Sequence, residues 1–163
     1  MMQQNVCKGG IAVQLTRVVG AEDIPLPVYA TEGSAGADVH AAVTEPVVVR
    51  MGEVKMIPTG IMLCIPNNFE GQVRPRSGLA LRAGLTLVNA PGTIDSDYRG
   101  ELNVLVTCVT MKPCTIRRGD RIAQLVICPV ARANFVEVDN LPTSARGVQG
   151  FGHSGVRMES AGG

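Results

Sequence analysis

Short apolar runs separated by Gly, Pro and Asn are the dominant pattern of the chain. They fall at 11–15, 47–49, 55–57, 60–65, 71–73, 85–88, 102–109, 115–116, 122–130 and 135–138, and Val and Ile dominate them. β-Branched side chains suit a pleated, half-buried surface, and the intervening residues are turn formers. Many short strands at such spacing predict an all-β sandwich, jelly roll or barrel. One segment departs from the pattern: residues 77–83, Ser-Gly-Leu-Ala-Leu-Arg-Ala, read as a two-turn helix with Ser77 as N-cap and Gly84 just past its end. Strand patterning also stops near the end. Residues 1–142 form one β domain on this reading, and the Gly- and Ser-rich residues 143–163 form a flexible arm.

Composition narrows the picture. A chain of 163 residues with 45% hydrophobic but only 3% aromatic residues needs an aliphatic core, so each aromatic ring calls for its own explanation. A net charge of +1 supplies no global field to draw nucleic acid or a membrane surface. Arg outnumbers Lys, which favours fork-like recognition of carboxylate or phosphate. The five cysteines contain no C-x-x-C pair, and Cys64 and Cys128 lie within apolar runs, so buried free thiols are expected. His40 and His153 are too few and too scattered for a zinc site or a Ser-His-Asp triad. No leader pattern or membrane-length apolar run is visible, which predicts a soluble, cytoplasmic protein.

Candidate chemistry concentrates in five segments. The richest is 89–100, Asn-Ala-Pro-Gly-Thr-Ile-Asp-Ser-Asp-Tyr-Arg-Gly, lying between two apolar strands as the turn half of a hairpin. Its Asp95 and Asp97 are either turn carboxylates bonded to the backbone or include a general base for water. Asn89 presents a donor and an acceptor together, which suits a base edge, and Tyr98 could wall a pocket. In 74–80, Arg-Pro-Arg-Ser-Gly-Leu-Ala, Arg76 beside the helix start makes either an anion site or a plain cap. Asp38 opens a strand after a Gly-rich turn, and Gln124 is an amide inside an apolar strand that must bond backbone or face a site. In the arm, Arg146 and Ser154 suit phosphate oxygens, and Phe151 is an apolar ring that needs something to cover.

Taken in order, these segments resemble the trimeric dUTP pyrophosphatases, the dUTPases. The resemblance rests on Ala-Gly-Ala-Asp (35–38), Pro-Arg-Ser-Gly-Leu-Ala (75–80), the whole of 89–100, Gly-Asp-Arg-Ile-Ala-Gln (119–124) and Arg-Gly-Val-Gln-Gly-Phe-Gly-His-Ser-Gly (146–155). It implies a jelly-roll-like barrel in a homotrimer, with each active site shared among chains and closed by an arm. The implied reaction is hydrolysis of dUTP to dUMP and pyrophosphate, which limits uracil in DNA and supplies dUMP for thymidylate synthesis. Asp95 would be the base, with Ser77 and Gln124 as catalytic partners. Arg76, Ser77, Gln124, Arg146 and Ser154 would hold the phosphates, with Gly78 also among the substrate-binding residues. Asn89, Thr93 and Tyr98 would read uracil and deoxyribose. Phe151 would stack on the base, with Gly152 and His153 beside it. Mg²⁺ would be held mainly by the triphosphate, with Asp38 reaching it through water.

Two positions depart from the family pattern. Gln149 stands where the arm commonly has Gly, and Arg74 stands where a small residue often precedes Pro-Arg-Ser. Two rival readings are a dCTP deaminase, of related fold, and a nucleotide-sensing module that has lost catalysis. The hairpin with its Tyr, and the Gly-Phe-Gly of the arm, argue against the first; Asp95 argues against the second.

Overall fold

The computed structural model describes residues 10–150. It contains eleven strands and one helix among them, in the order β1 (Gln14–Arg17), β2 (Val28–Tyr29), β3 (Ala37–His40), β4 (Val47–Val49), β5 (Val54–Cys64), β6 (Phe69–Arg74), α1 (Ser77–Ala83), β7 (Leu85–Leu87), β8 (Gly92–Ile94), β9 (Glu101–Cys108), β10 (Cys114–Ile116) and β11 (Arg121–Pro129). The named pairings are antiparallel. They form a four-stranded sheet β1-β5-β9-β7, a five-stranded sheet β2-β3-β11-β6-β8 and the pair β10-β4.

The alternation read from the sequence becomes the core. Along β9, Leu102, Val104, Val106 and Cys108 are buried while the residues between them are only half-buried. They meet Ile57 and Leu63 of β5, Val73 of β6, and Ile122 and Leu125 of β11 in one cluster drawn from both larger sheets. Each such aliphatic side chain contributes about 1.5–3 kcal/mol when fully buried. That sum offsets the absence of aromatic mass.

Several expected boundaries move. The runs at 55–57 and 60–65 are a single strand, β5, which passes through Pro58 and shifts register between Pro58 and Met62. The irregularity is tolerated because other groups take over the ladder bonds. Thr59 Oγ1 donates to Leu102 O at 2.5 Å, and Glu101 Oε1 accepts from Gly60 N at 2.8 Å. The first strand starts at Gln14 rather than at residue 11. Residues 135–138 form no strand; Phe135, Val136 and Val138 are exposed. Their alternation is genuine, but a strand needs a partner edge, and no described residue pairs with them.

The cap of α1 also differs from expectation. Arg76, with extended backbone, occupies the N-cap position without a side-chain bond, and Ser77 is the first helical residue. Gly84 ends the helix as expected, in the left-handed region at φ 63°. Of the four described cysteines, all are free as expected, but only Cys108 is fully buried. Cys64 and Cys128 are half-buried because β5 and β11 each turn one face outward there.

The chain divides into two compact units, one reaching to Ala131 and the other beginning at Arg132. Residues 132–150 of the second unit contain turns but no strand or helix. No helix among the described residues is long and apolar enough to cross a membrane.

Candidate active site

Three elements of the five-stranded sheet converge at one end of it. β11 lies between β3 and β6, with Gln124 opposite Asp38 on one side and opposite Arg74 on the other. β6 runs through Pro75 into α1, so Arg76 and Ser77 arrive beside the same register position. The result is an open cleft of about 320 Å³ whose walls include Asp38, Arg76, Ser77, Gly78 and Gln124, all expected from the sequence.

The cleft is pre-organised by its own bonds. Arg76 Nε donates to Asp38 Oδ1 at 2.9 Å, and Arg121 Nη1 donates to Asp38 Oδ2 at 3.4 Å. One carboxylate thus holds two guanidiniums, and with Arg82 the walls carry three guanidiniums against that single carboxylate. Asp38 is 15% and Arg76 23% exposed, so their charges act in a medium less screening than bulk water. The amides of Ser77 and Gly78, first in the helix, have no intrahelical acceptor. A surplus of guanidinium and free N–H is the chemistry of an anion receptor.

Gln124 resolves the choice left by its apolar strand, since it both bonds backbone and faces the cleft. Its Nε2 donates to Pro75 O at 2.9 Å, which ties β11 to the residue before Arg76. Gly36 makes room for it: a Cβ there would stand 2.5 Å from Gln124 Oε1. Arg121 and Gly36 were not singled out from the sequence, although both lie inside quoted segments. Arg121 alternates with Ala123 along β11, but the register shift between those two residues breaks the simple two-residue rule that would have exposed its role.

His40, at the end of β3, pairs with Arg121 of β11. Its Nδ1 is buried without a partner among the described residues. Burial pushes the imidazole below its ordinary value, opposed by Asp38 and reinforced by the charges of Arg121 and Arg76.

The segment 89–100 is more than the end of a hairpin. β7 and β9 do pair, with Leu85 opposite Cys108. Between them the chain crosses to the other sheet, where β8 pairs with β6. Asn89 folds over this crossing, its Nδ2 lying 3.0 Å from where a Cβ on Gly92 would stand. Asn89, Thr93, Asp95 and Tyr98 are all exposed. Local bonds shape the loop: Tyr98 N donates to Asp95 O at 3.2 Å, and Tyr98 Oη donates to Glu101 O at 3.0 Å.

The register separates this loop from the cleft. Ile94 faces Gly71, three residues and roughly 10 Å of strand short of Arg74, and β8 then runs away from Arg76. Asp95 therefore does not join Asp38, Arg76 and Gln124 within one chain. Arg74 does not line the cleft either. It sits opposite Gln124, but its guanidinium turns along β6, with Nε donating to Gln72 Oε1 at 3.1 Å. In the second unit, Arg146 Nε donates to Gln149 O at 2.8 Å. Phe151, Gly152, His153 and Ser154 lie outside the described residues.

The sequence profile of the dUTPase family matches residues 22–155. A deoxyuridine 5'-triphosphate nucleotidohydrolase of Caldanaerobacter subterraneus subsp. tengcongensis is 51% identical over 146 residues, covering 90% of this chain and 99% of that protein. One of the same description from Methylocella silvestris is 50% identical over 147 residues, covering 89% and 92%. Among solved structures, a dUTPase of Staphylococcus bacteriophage 80alpha, solved with dUpNHpp, superposes with a TM-score of 0.77 at 25% identity, covering 89% of this chain and 99% of that one. A phage phi11 dUTPase whose structure was described for its coordination of a structural Mg(II) ion superposes at 0.70, with 22% identity, covering 81% and 99%. The family profile spans most of the chain and the relatives are half identical over nearly their full length, so this chain belongs to the dUTPase family.

Proposed function

We propose that this protein hydrolyses dUTP to dUMP and pyrophosphate in a homotrimer of jelly-roll-like protomers. The observation that carries the reading is the cleft itself, where three guanidiniums and two free helix amides face a single carboxylate. That is a receptor for a polyphosphate, and it contains no free base of its own. The missing base is Asp95, exposed on the loop of another copy. A trimer in which the cleft of one chain meets the loop of the next completes the site. The exposed apolar residues Phe135, Val136, Val138 and Leu141 support such an assembly, because a single chain leaves them to water.

In this site Asp95 orients a water molecule and takes its proton as the oxygen attacks the α-phosphorus. The bond from that phosphorus to the bridging oxygen breaks, and pyrophosphate leaves with the electron pair. Arg76, Ser77 and Gln124 hold the charge that develops on the departing group, and the amide of Gly78 adds a fixed donor. Arg146 and Ser154 of the arm close over the phosphates. Asn89 and the β8 backbone, with Thr93, bond the uracil edge; Tyr98 lies against the deoxyribose, Phe151 stacks on the base, and Gly152 and His153 flank it.

The residues present fit a divalent cation only as a guest of the substrate. Among the described residues no three His, Cys, Asp or Glu side chains form a metal cage. Asp38 keeps lone pairs beyond its two guanidinium bonds, enough to accept a cation's water ligand. Mg²⁺ bound to the triphosphate would neutralise phosphate charge there.

Discrimination should be uneven. A missing or extra methyl is worth about 10–200-fold, whereas mispaired buried polar groups give about 10⁴–10⁵. Pyrophosphate release measured with dUTP, dCTP, dTTP and UTP tests the whole reading. Turnover confined to dUTP is expected; equal turnover of dCTP, or none of dUTP, would refute it.

A further inference from the structure

Arg82 is the one charged side chain lining the cleft that has neither an expected role nor a partner among the described residues. It stands in the last turn of α1, where a cation ordinarily interacts with the helix's own C-terminal carbonyls. Its side chain instead turns back over the first turn, and its Nη2 lies 2.9 Å from where a Cβ on Gly78 would stand. It lines the cleft of Asp38, Arg76 and Gln124, and also an adjoining cleft that Arg76 and Arg121 share. Arg76 and Arg121 are both bonded to Asp38, and Arg74 to Gln72. Among the described residues, no carboxylate or carbonyl accepts a bond from Arg82. It is also exposed, so the fold does not depend on it.

Resting on the reading of the site as a dUTP hydrolase, we propose that Arg82 is a further anion-binding residue, which takes the distal phosphates of the substrate. A guanidinium lining the same cleft as Arg76 and Gln124 adds a further cation for the phosphate end of the nucleotide, beside the groups that hold the developing charge. Its flexible stem and its place between two clefts let it follow pyrophosphate outward as it leaves. Because the charge acts where substrate and departing group both carry phosphate, it strengthens binding more than it lowers the barrier.

Arg82→Gln is the test, with Arg82→Lys beside it and thermal unfolding as a control for folding. KM for dUTP is expected to rise about 10-fold with kcat within about threefold, since exposed charge-assisted contacts are of that size. Arg82→Lys should recover part of the loss. Product inhibition adds a readout that general damage would not mimic: inhibition by pyrophosphate should weaken about 10-fold while inhibition by dUMP, which lacks the distal phosphates, stays unchanged. An unchanged KM, or equal weakening of both products, overturns the proposal while leaving the hydrolase reading intact. A wild-type protein that releases no pyrophosphate from dUTP overturns both.

Discussion

The cleft and the loop at 89–100 hold their functional side chains by different means. In the cleft, Asp38, Arg76, Arg121 and Gln124 are bonded to one another or to neighbouring backbone, across three strands distant in sequence. On the loop, Asn89, Asp95 and Tyr98 are exposed; β8 anchors the backbone to β6, but the bonds around Asp95 and Tyr98 are local ones. A cleft with its charges already in place spends little free energy on ordering when an anion arrives. A loop whose reactive groups point into water has its backbone fixed but its surroundings missing. On the proposed reading, each chain carries a finished receptor and an unfinished catalytic element, and assembly brings one to the other.

The largest expected effect breaks the loop's side of the contrast. Replacing Asp95 by Asn should lower kcat by about 10²–10⁴ while leaving dUTP affinity close to wild type, because the amide keeps the shape but cannot take a proton. Single-turnover rates and calorimetric binding would separate the two quantities. Lost affinity with normal turnover would remove Asp95 from the chemistry.

Gly36→Ala attacks the cleft's internal bonding without touching a charge. The new Cβ would stand 2.5 Å from Gln124 Oε1, so Gln124 must move and its bond to Pro75 O must lengthen. Misplacement of about 1 Å can cost up to about 10²-fold in rate, while one hydrogen bond contributes only about 1 kcal/mol to stability. A large fall in kcat/KM with a nearly unchanged melting temperature is expected. A fall in both alike would make Gly36 a matter of folding rather than of site geometry.

The smallest effect concerns pH. His40 sits below the ordinary histidine value of 6.5 because it is buried, so the folded protein keeps it neutral where the unfolded chain takes a proton. Its contribution to stability is complete above that ordinary value and is lost as pH falls through the window just below it. Denaturant midpoints at pH 7.5 and 5.5 should therefore drop more for wild type than for His40→Gln. Equal drops would mean that the buried Nδ1 carries no penalty.

Much of this was legible because the chemistry is local. Segment 89–100 keeps its amide, carboxylates and phenol in one short stretch, and β9 shows its buried face by strict alternation. What was not legible depends on pairing between distant strands. The two-residue β2 has no pattern of its own and exists only against β3. The three residues of β8 looked like a turn because their partner, β6, lies in the other sheet. Residues 135–138 had the pattern without an edge to join. The same reason hid Arg121: only the β3–β11 register brings it to Asp38. Ser77 was read as a cap from residue preference, but Arg76 is held by Asp38 and takes the cap position without a cap bond.

Mixing two inactive variants tests most directly that the two half-sites come from different chains. On that reading, Asp95→Asn and Arg76→Ala would each disable every site of the trimers they form alone. Co-expressed or refolded together, they should recover about a quarter of wild-type activity, the share of sites that random assembly leaves with both residues intact. Mixtures as inactive as either variant alone would contradict the account and return Asp95 and Arg76 to the same chain.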